Sequence, residues 1–214
     1  MRIGDISKQS AILLMSILFV SGMTLMATLS FIAFGVLCGY ISLNIGYIYY
    51  LKQIPILDVT IIAIGFVLRL FVGSTITEIH LSIWVILLSF LLALFMALAK
   101  RRDDVHIFLN TGQKMRRVTD SYNLKFIDGA MIIMASVVIV SHLLYTTSIE
   151  VMQRMHSENI YLTTLFVILG IMRYLQITFV GNDSSSPTRI LLKDKFIQST
   201  ILAWLFAFTW IIYI

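Results

Sequence analysis

Apolar residues in this chain fall in long unbroken runs, without the alternation of half-buried strands or the one-sided stripe of surface helices. Seven runs, near 9–27, 29–50, 57–75, 80–99, 125–147, 159–179 and 196–214, stand between short polar joins. A helix rises about 1.5 Å per residue and the hydrocarbon core is about 30 Å thick, so about 20 apolar residues make one span. The first two runs are parted only by a tight join at 27–30, and together they are too long for a single span. The first is read as a retained helix, since it continues into a second span and has no small-residue cleavage site before a polar start. Two prolines in 214 residues suit mostly uninterrupted helices. The pattern predicts an all-α fold: a polytopic membrane helix bundle of about seven transmembrane helices, one domain over 1–214, with a cytoplasmic loop at 100–123.

Composition agrees. Apolar residues are 59% and charged residues 13% of the chain, against about 45–50% and about 25% in soluble domains. So few charges cannot cover a globular surface, and most of this one must face lipid. The net charge of +5 points to a membrane surface and not to nucleic acid because of where the charges lie. Arg2, Lys8, Lys52, Lys100, Arg101, Arg102, Lys114, Arg116, Arg117, Lys125, Arg189, Lys193 and Lys195 fall on one side of a seven-span alternation, and Arg154 alone on the other. Positive residues stay inside. The chain therefore starts in the cytoplasm of a bacterial inner membrane protein, with its polar loops cytoplasmic and its carboxyl terminus outside. Tyr47, Tyr49 and Tyr50 cluster at the inner interface as anchoring rings. Six glycines (Gly22, Gly35, Gly39, Gly46, Gly65 and Gly73) read as close helix contacts. The single Cys38 lies mid-run and says nothing about redox compartment.

The candidate chemistry gathers at the cytoplasmic ends. The 100–123 connection holds Lys100, Arg101, Arg102, Lys114, Arg116 and Arg117 with Asp103, Asp104 and Asp120. Val105, Phe108, Leu109 and Met115 share a face there, which predicts a short interfacial helix. Asp103 and Asp104 can give oxygen ligands to a magnesium ion that also binds substrate phosphates. Arg as a fork and Lys as a point charge can neutralise those phosphates. The plain alternative is a solvated loop whose acids pair with its bases. A second group is Lys52, Asp58 and Arg69. Asp58 opens a span, and Arg69 follows eleven residues later on the same face, about 16 Å away along a helix. A charge inside a span faces a polar cavity or a partner, and the cavity is the expectation for Arg69. Arg173 reads as a positional, snorkelling charge. His80, His106, His142 and His156 show no metal-ligand spacing, and His142 reads as a packed or hydrogen-bonded core residue. No Ser-His-Asp set, Gly-rich phosphate loop or CxxC is present.

Several of these residues carry a resemblance. The run Tyr50-Leu51-Lys52-Gln53-Ile54-Pro55-Ile56-Leu57-Asp58, with Gly65-Phe66-Val67-Leu68-Arg69, resembles the UbiA-type intramembrane prenyltransferase superfamily and, within it, the decaprenyl-phosphate phosphoribosyltransferase branch. Ala99-Lys100-Arg101-Arg102-Asp103-Asp104-Val105-His106, Thr111-Gly112, Arg116-Arg117 and Ser121-Tyr122 are similar to that branch's second acidic motif and following loop. Where the branch carries a glutamate three residues after the arginine, this chain has Asp104.

The resemblance implies a helical bundle around a cavity open to the cytoplasm and to lipid. It implies transfer of a 5-phosphoribosyl group from phosphoribosyl diphosphate to a polyprenyl phosphate, with Mg2+ and no covalent enzyme intermediate. On this reading Lys100, Arg101 and Asp104 are catalytic, and Asp103 and Asp104 bind the metal. Lys52, Arg69, Arg116, Arg117 and Tyr122 bind substrate phosphate, and Asp58 lines the polar cavity. The superfamily's first acidic motif, NDxxDxxxD, is absent, and Met1-Arg2-Ile3-Gly4-Asp5-Ile6-Ser7 resembles only the tail of the loop after it. The expectation is therefore a chain lacking the first two helices of the family fold, with the missing half supplied by another chain or a homo-oligomer formed, and inactive alone if it is a fragment. Prenyl transfer to another acceptor, a small transporter with a path through Asp58 and Arg69, and a non-catalytic remnant remain as alternatives.

Overall fold

A computed structural model describes residues 7–112, 121–180 and 187–213, apart from the Lys8 side chain. Arg116 and Arg117, with Lys114 and Asp120, lie outside the described residues. Those described form nine α-helices: α1 Lys8–Leu29, α2 Phe31–Tyr49, α3 Leu57–Thr77, α4 Ile83–Thr111, α5 Leu124–Thr146, α6 Ile149–Met155, α7 Thr164–Phe179, α8 Pro187–Lys193 and α9 Lys195–Tyr213. Two 3-10 turns, Leu51–Gln53 and Asn159–Thr163, precede α3 and α7.

Seven helical segments are long and apolar enough to cross a membrane: α1, α2, α3, α4, α5, α9 and Asn159–Phe179, which joins the second turn to α7. The chain is an integral membrane protein with the all-helical architecture that its pattern predicts. A single residue divides the first two spans. Ser30 closes α1 by donating its N–H to Met26 O and opens α2 by accepting from the Ala33 N–H through its hydroxyl. One side chain thus satisfies backbone groups that two helix ends would otherwise leave bare.

Burial is uneven. The core lies where α3, α4, α5 and α7 meet near one end, around Val59, Phe95, Leu98, Ile127, Met131 and Tyr174. Phe95 and Tyr174 meet edge to face at 5.4 Å, linking α4 to α7. In contrast none of the described side chains of α1 is buried, and α2 has only Ala33. The glycine expectation holds in part. A Cβ on Gly65 would lie 3.5 Å from the Tyr40 ring and one on Gly46 3.4 Å from Leu51, whereas Gly22, Gly35, Gly39 and Gly73 have open space. Gly22, Gly35 and Gly39 sit on α1 and α2, whose faces are largely uncovered.

The largest departure from the sequence reading is in α4. The apolar run stops near residue 99, yet the helix continues to Thr111, through half of the expected loop. Its 29 residues make about 43 Å, so the last turns stand past an apolar core of about 30 Å. Gly112 ends the helix with φ +69°, a left-handed cap that only glycine adopts without strain.

Candidate functional site

The polar end of the bundle is organised by one aspartate. Asp58, in the first turn of α3, is wholly buried. Arg101 reaches it from α4, Nε to Oδ2 at 2.5 Å, and through Nη1 also binds Asp104 Oδ2 at 2.6 Å, one helical turn on. Tyr122, returning ahead of α5, donates its hydroxyl hydrogen to Asp58 Oδ1 at 2.6 Å and accepts the Ile56 N–H at 2.7 Å. Ile56 sits at φ +69°, a conformation that costs a β-branched residue about 1–3 kcal/mol. The Tyr122 bond supplies part of what holds it there. Burial, and then the hydrogen bond to Asp58, push the Tyr122 phenol above its ordinary range, so it stays a donor.

A second pair fastens the same end. Arg102 binds Asp128 of α5 at 2.7 Å and lies over the Phe179 ring at the end of α7, 5.2 Å away. These two arginines, turned to different neighbours of α4, explain why charged residues continue the helix. Each finds a carboxylate on a neighbouring helix, which stabilises the helical path that hydropathy alone would end.

The structure thus brings Asp58, Arg101, Asp104 and Tyr122 into one buried network. Arg101 is 2% exposed and Tyr122 6%, and both are hydrogen-bonded to Asp58, while Arg101 also lines the groove between α3 and α4. Lys100 is different. It is exposed, has no ion pair among the described residues, and stands at the mouth of a groove of about 490 Å³ between α3 and α4. Ile62 and Phe66 form one wall, and Ser89, Ala93 and Met96 the other, with Pro187 of α8 at the mouth. Lys52 is half-buried in the turn before α3 and joins no polar contact among the described residues.

Asp103 and Asp104, expected to share one metal ion, do not converge. Neighbouring residues on a helix point about 100° apart. Asp104 turns to Arg101, whereas Asp103 acts electrostatically on Tyr174 of α7. Among the described residues no three His, Cys, Asp or Glu side chains are placed to hold a metal. The pair does not fit a two-carboxylate magnesium site in this arrangement.

Arg69 is placed apart from the network. Its Nη2 donates to Tyr40 Oη of α2 at 2.6 Å, and its guanidinium carbon lies 5.2 Å from the centres of both the Tyr40 and Phe66 rings. It is exposed, and among the described residues no carboxylate reaches it. Arg173 is positional: it binds Asp194 at 2.7 Å, whose other oxygen accepts the Ile197 N–H and caps α9. His142 is buried and hydrogen-bonded to Thr164 at 3.1 Å. It borders a second cavity, of about 400 Å³ between α4, α5, α7 and α9, which no cationic side chain lines.

Comparison with known proteins accords with the motif resemblance. The chain is similar to the decaprenyl-phosphate phosphoribosyltransferases of Corynebacterium glutamicum, 29% identical over 175 residues, and Mycolicibacterium smegmatis, 27% identical over 176. It is 23% identical over 167 residues to the protein of that name from Mycobacterium tuberculosis. These matches take in 82%, 79% and 78% of this chain but 52%, 55% and 54% of the relatives, so the chain spans about half the length of the curated relatives it matches. No family model matches it.

Proposed function

We propose that this integral membrane protein, with relatives named for phosphoribosyl transfer to decaprenyl phosphate, carries the phosphoribosyl-transferring face of such an enzyme. It would move a 5-phosphoribosyl group from phosphoribosyl diphosphate to a polyprenyl phosphate. The observation that carries this reading is Lys100: a cation without a carboxylate partner among the described residues, at the water-facing mouth of an apolar groove, beside a network that fixes its helix.

The reaction breaks the bond from ribose C1 to the diphosphate oxygen and forms one from C1 to an acceptor phosphate oxygen, with diphosphate leaving. The ribosyl carbon passes through a cationic, oxocarbenium-like state, while negative charge grows on the leaving group. A fixed ammonium lowers that barrier when it is already in place and needs no reorganisation. Lys100 takes that role. Asp58, Arg101, Asp104 and Tyr122 are positioning residues: they hold α3 against α4, and so hold the groove mouth. The prenyl chain would lie along Met96, Ala93 and Phe66, with its phosphate at the rim. When bound, magnesium would supply charge neutralisation of the departing diphosphate. The orientation that fits places Lys52, Lys100 and Arg101 on the cytoplasmic side, where phosphoribosyl diphosphate is soluble.

The test is radiolabelled phosphoribosyl transfer in vesicles containing polyprenyl phosphate and magnesium. It is run with this chain alone and with the remainder of the Corynebacterium glutamicum relative supplied as a second polypeptide. A lipid-linked pentose phosphate is expected in at least one arm, with turnover lowered at least tenfold in Lys100→Ala. Absence of product in both arms refutes the substrate assignment.

A further inference from the structure

The short helix between α7 and α9 carries cations that the groove does not use. One span ends at Phe179 and the next begins at Lys195, so α8, between them, lies where hydrocarbon gives way to headgroups. A helix of seven residues does not persist alone, and protein contacts hold this one. Pro187 and Ile190 are buried, and the Gln198 amide donates to Leu192 O at 2.6 Å. Asp194 ties the end of α8 to Arg173 and to the Ile197 N–H.

The outward face of α8 is built differently. Arg189, Leu192 and Lys193, spaced i, i+3 and i+4, share it, and all three are exposed, Leu192 at 73%. Lys195 and Phe196, exposed as well, continue the patch onto the first turn of α9. Arg189, Lys193 and Lys195 join no ion pair among the described residues. Asp194, next to them in sequence, is already engaged by Arg173. Three unpaired cations thus stand around two exposed apolar side chains on a fixed element.

Each half of that arrangement asks for something in a partner. Like charges one helical turn apart repel, so Arg189 and Lys193 favour an anion between them. Leu192 and Phe196, exposed at the edge of the hydrocarbon, favour an apolar chain. A soluble anion answers only the first demand, and a zwitterionic lipid brings no net charge. An anionic phospholipid answers both, with its phosphate among the cations and an acyl chain against Leu192 and Phe196.

We propose that the corner formed by α8 and the first turn of α9 binds an anionic phospholipid of the surrounding leaflet. This site is separate from the groove and independent of what the groove binds. It bears on the groove through α8 itself: Pro187 and Thr188, on the same helix, border the groove with Lys100 and Arg101. A lipid that steadies α8 therefore steadies that border.

Titration of the full chain in detergent with phosphatidylglycerol or phosphatidylcholine, read as retained lipid by native mass spectrometry, tests this. The unmutated chain is expected to retain phosphatidylglycerol in clear preference. A cation near an anionic headgroup is worth about fivefold in affinity. Arg189→Gln, Lys193→Gln and Lys195→Gln should each lower retention by about that factor, and the triple variant by more than any of them. Leu192→Gln, which leaves every charge in place, should lower it as well. Lys125→Gln and Arg154→Gln, two exposed cations outside the patch, should leave it unchanged. Equal retention of the two lipids, or a triple variant that retains phosphatidylglycerol as before, overturns the site. So does a loss in Lys125→Gln equal to that in Lys193→Gln, which means a diffuse attraction to every basic residue. Displacement by glycerol phosphate marks a soluble-anion site, and displacement by equimolar polyprenyl phosphate marks an acceptor site; either overturns the assignment to phospholipid.

Discussion

Two arginines on adjacent helices, Arg101 and Arg69, reveal opposite uses of the same group. Arg101 is buried, with Asp58 and Asp104 both on its guanidinium. Arg69 is exposed, with one hydroxyl and two ring faces for company. A guanidinium held by two protein carboxylates fastens helices together, and Arg101 does so while also lining the groove. One held by aromatic rings keeps most of its donors. The sequence reading set both arginines at the substrate, and the structure distinguishes them by their surroundings.

The contrast is broken most severely at Arg101. Arg101→Ala leaves Asp58 buried without its cation, and removal of one partner of a buried pair costs about 3–5 kcal/mol. Thermal unfolding in detergent should fall accordingly, and replacing Asp58 and Arg101 together by Leu and Met should recover most of the loss. A double variant no better than Arg101→Ala would mean that the pair is not the structural element described here.

Tyr122→Phe comes next. It deprives both Asp58 and the Ile56 N–H of a partner, at about 1–3 kcal/mol. Because the folded phenol titrates above its unfolded value, its contribution is complete below about pH 10, the ordinary phenol value, and declines as pH rises beyond it. Melting temperatures of the unmutated chain should therefore drop at alkaline pH more steeply than those of Tyr122→Phe. Parallel curves would dissociate the phenol from the loss.

Arg69→Met should change stability by less than about 1 kcal/mol, as an exposed residue outside the network does. A loss comparable to that of Arg101→Ala would erase the distinction between the two. The smallest effect is expected at the α7–α9 joint. The hydrogen bonds from Arg173, ahead of those from the Ile197 and Phe196 amides, hold Asp194 below the usual carboxylate range. Its contribution is present above that range and disappears as pH falls through the depressed value. Asp194→Asn should slightly lower the melting temperature at neutral pH and flatten its acid dependence.

Much of the fold was legible because the bilayer imposes one length on every span, and all seven runs meet it. The end of α4 was not. Lys100 to Asp104 read as a loop because hydropathy registers cost without seeing Asp58 and Asp128 on other helices, whose pairing makes the helical path favourable. Gly112 was a visible stop signal, one that the apolar boundary near residue 99 obscured. At the site, Asp58, Arg69, Lys100 and Tyr122 were recognisable as residues worth placing. Their grouping was not, because Asp58 and Arg101 are 43 residues apart and a single sequence records no such distance. The divergence of Asp103 and Asp104 was implicit in helical geometry once their segment was known to be helix.

Ser30 has a consequence for how the molecule is made. Because one residue both ends α1 and begins α2, only a single small hydroxyl has to pass through the lipid for the hairpin to form. In the orientation proposed above, insertion of these two helices as a pair carries no hydrated loop across the barrier, whereas α3 with α4, and α5 with α7, would carry across acidic connections containing Glu78, Glu150 and Glu158. The least buried part of the bundle is thereby the part most easily threaded into the membrane.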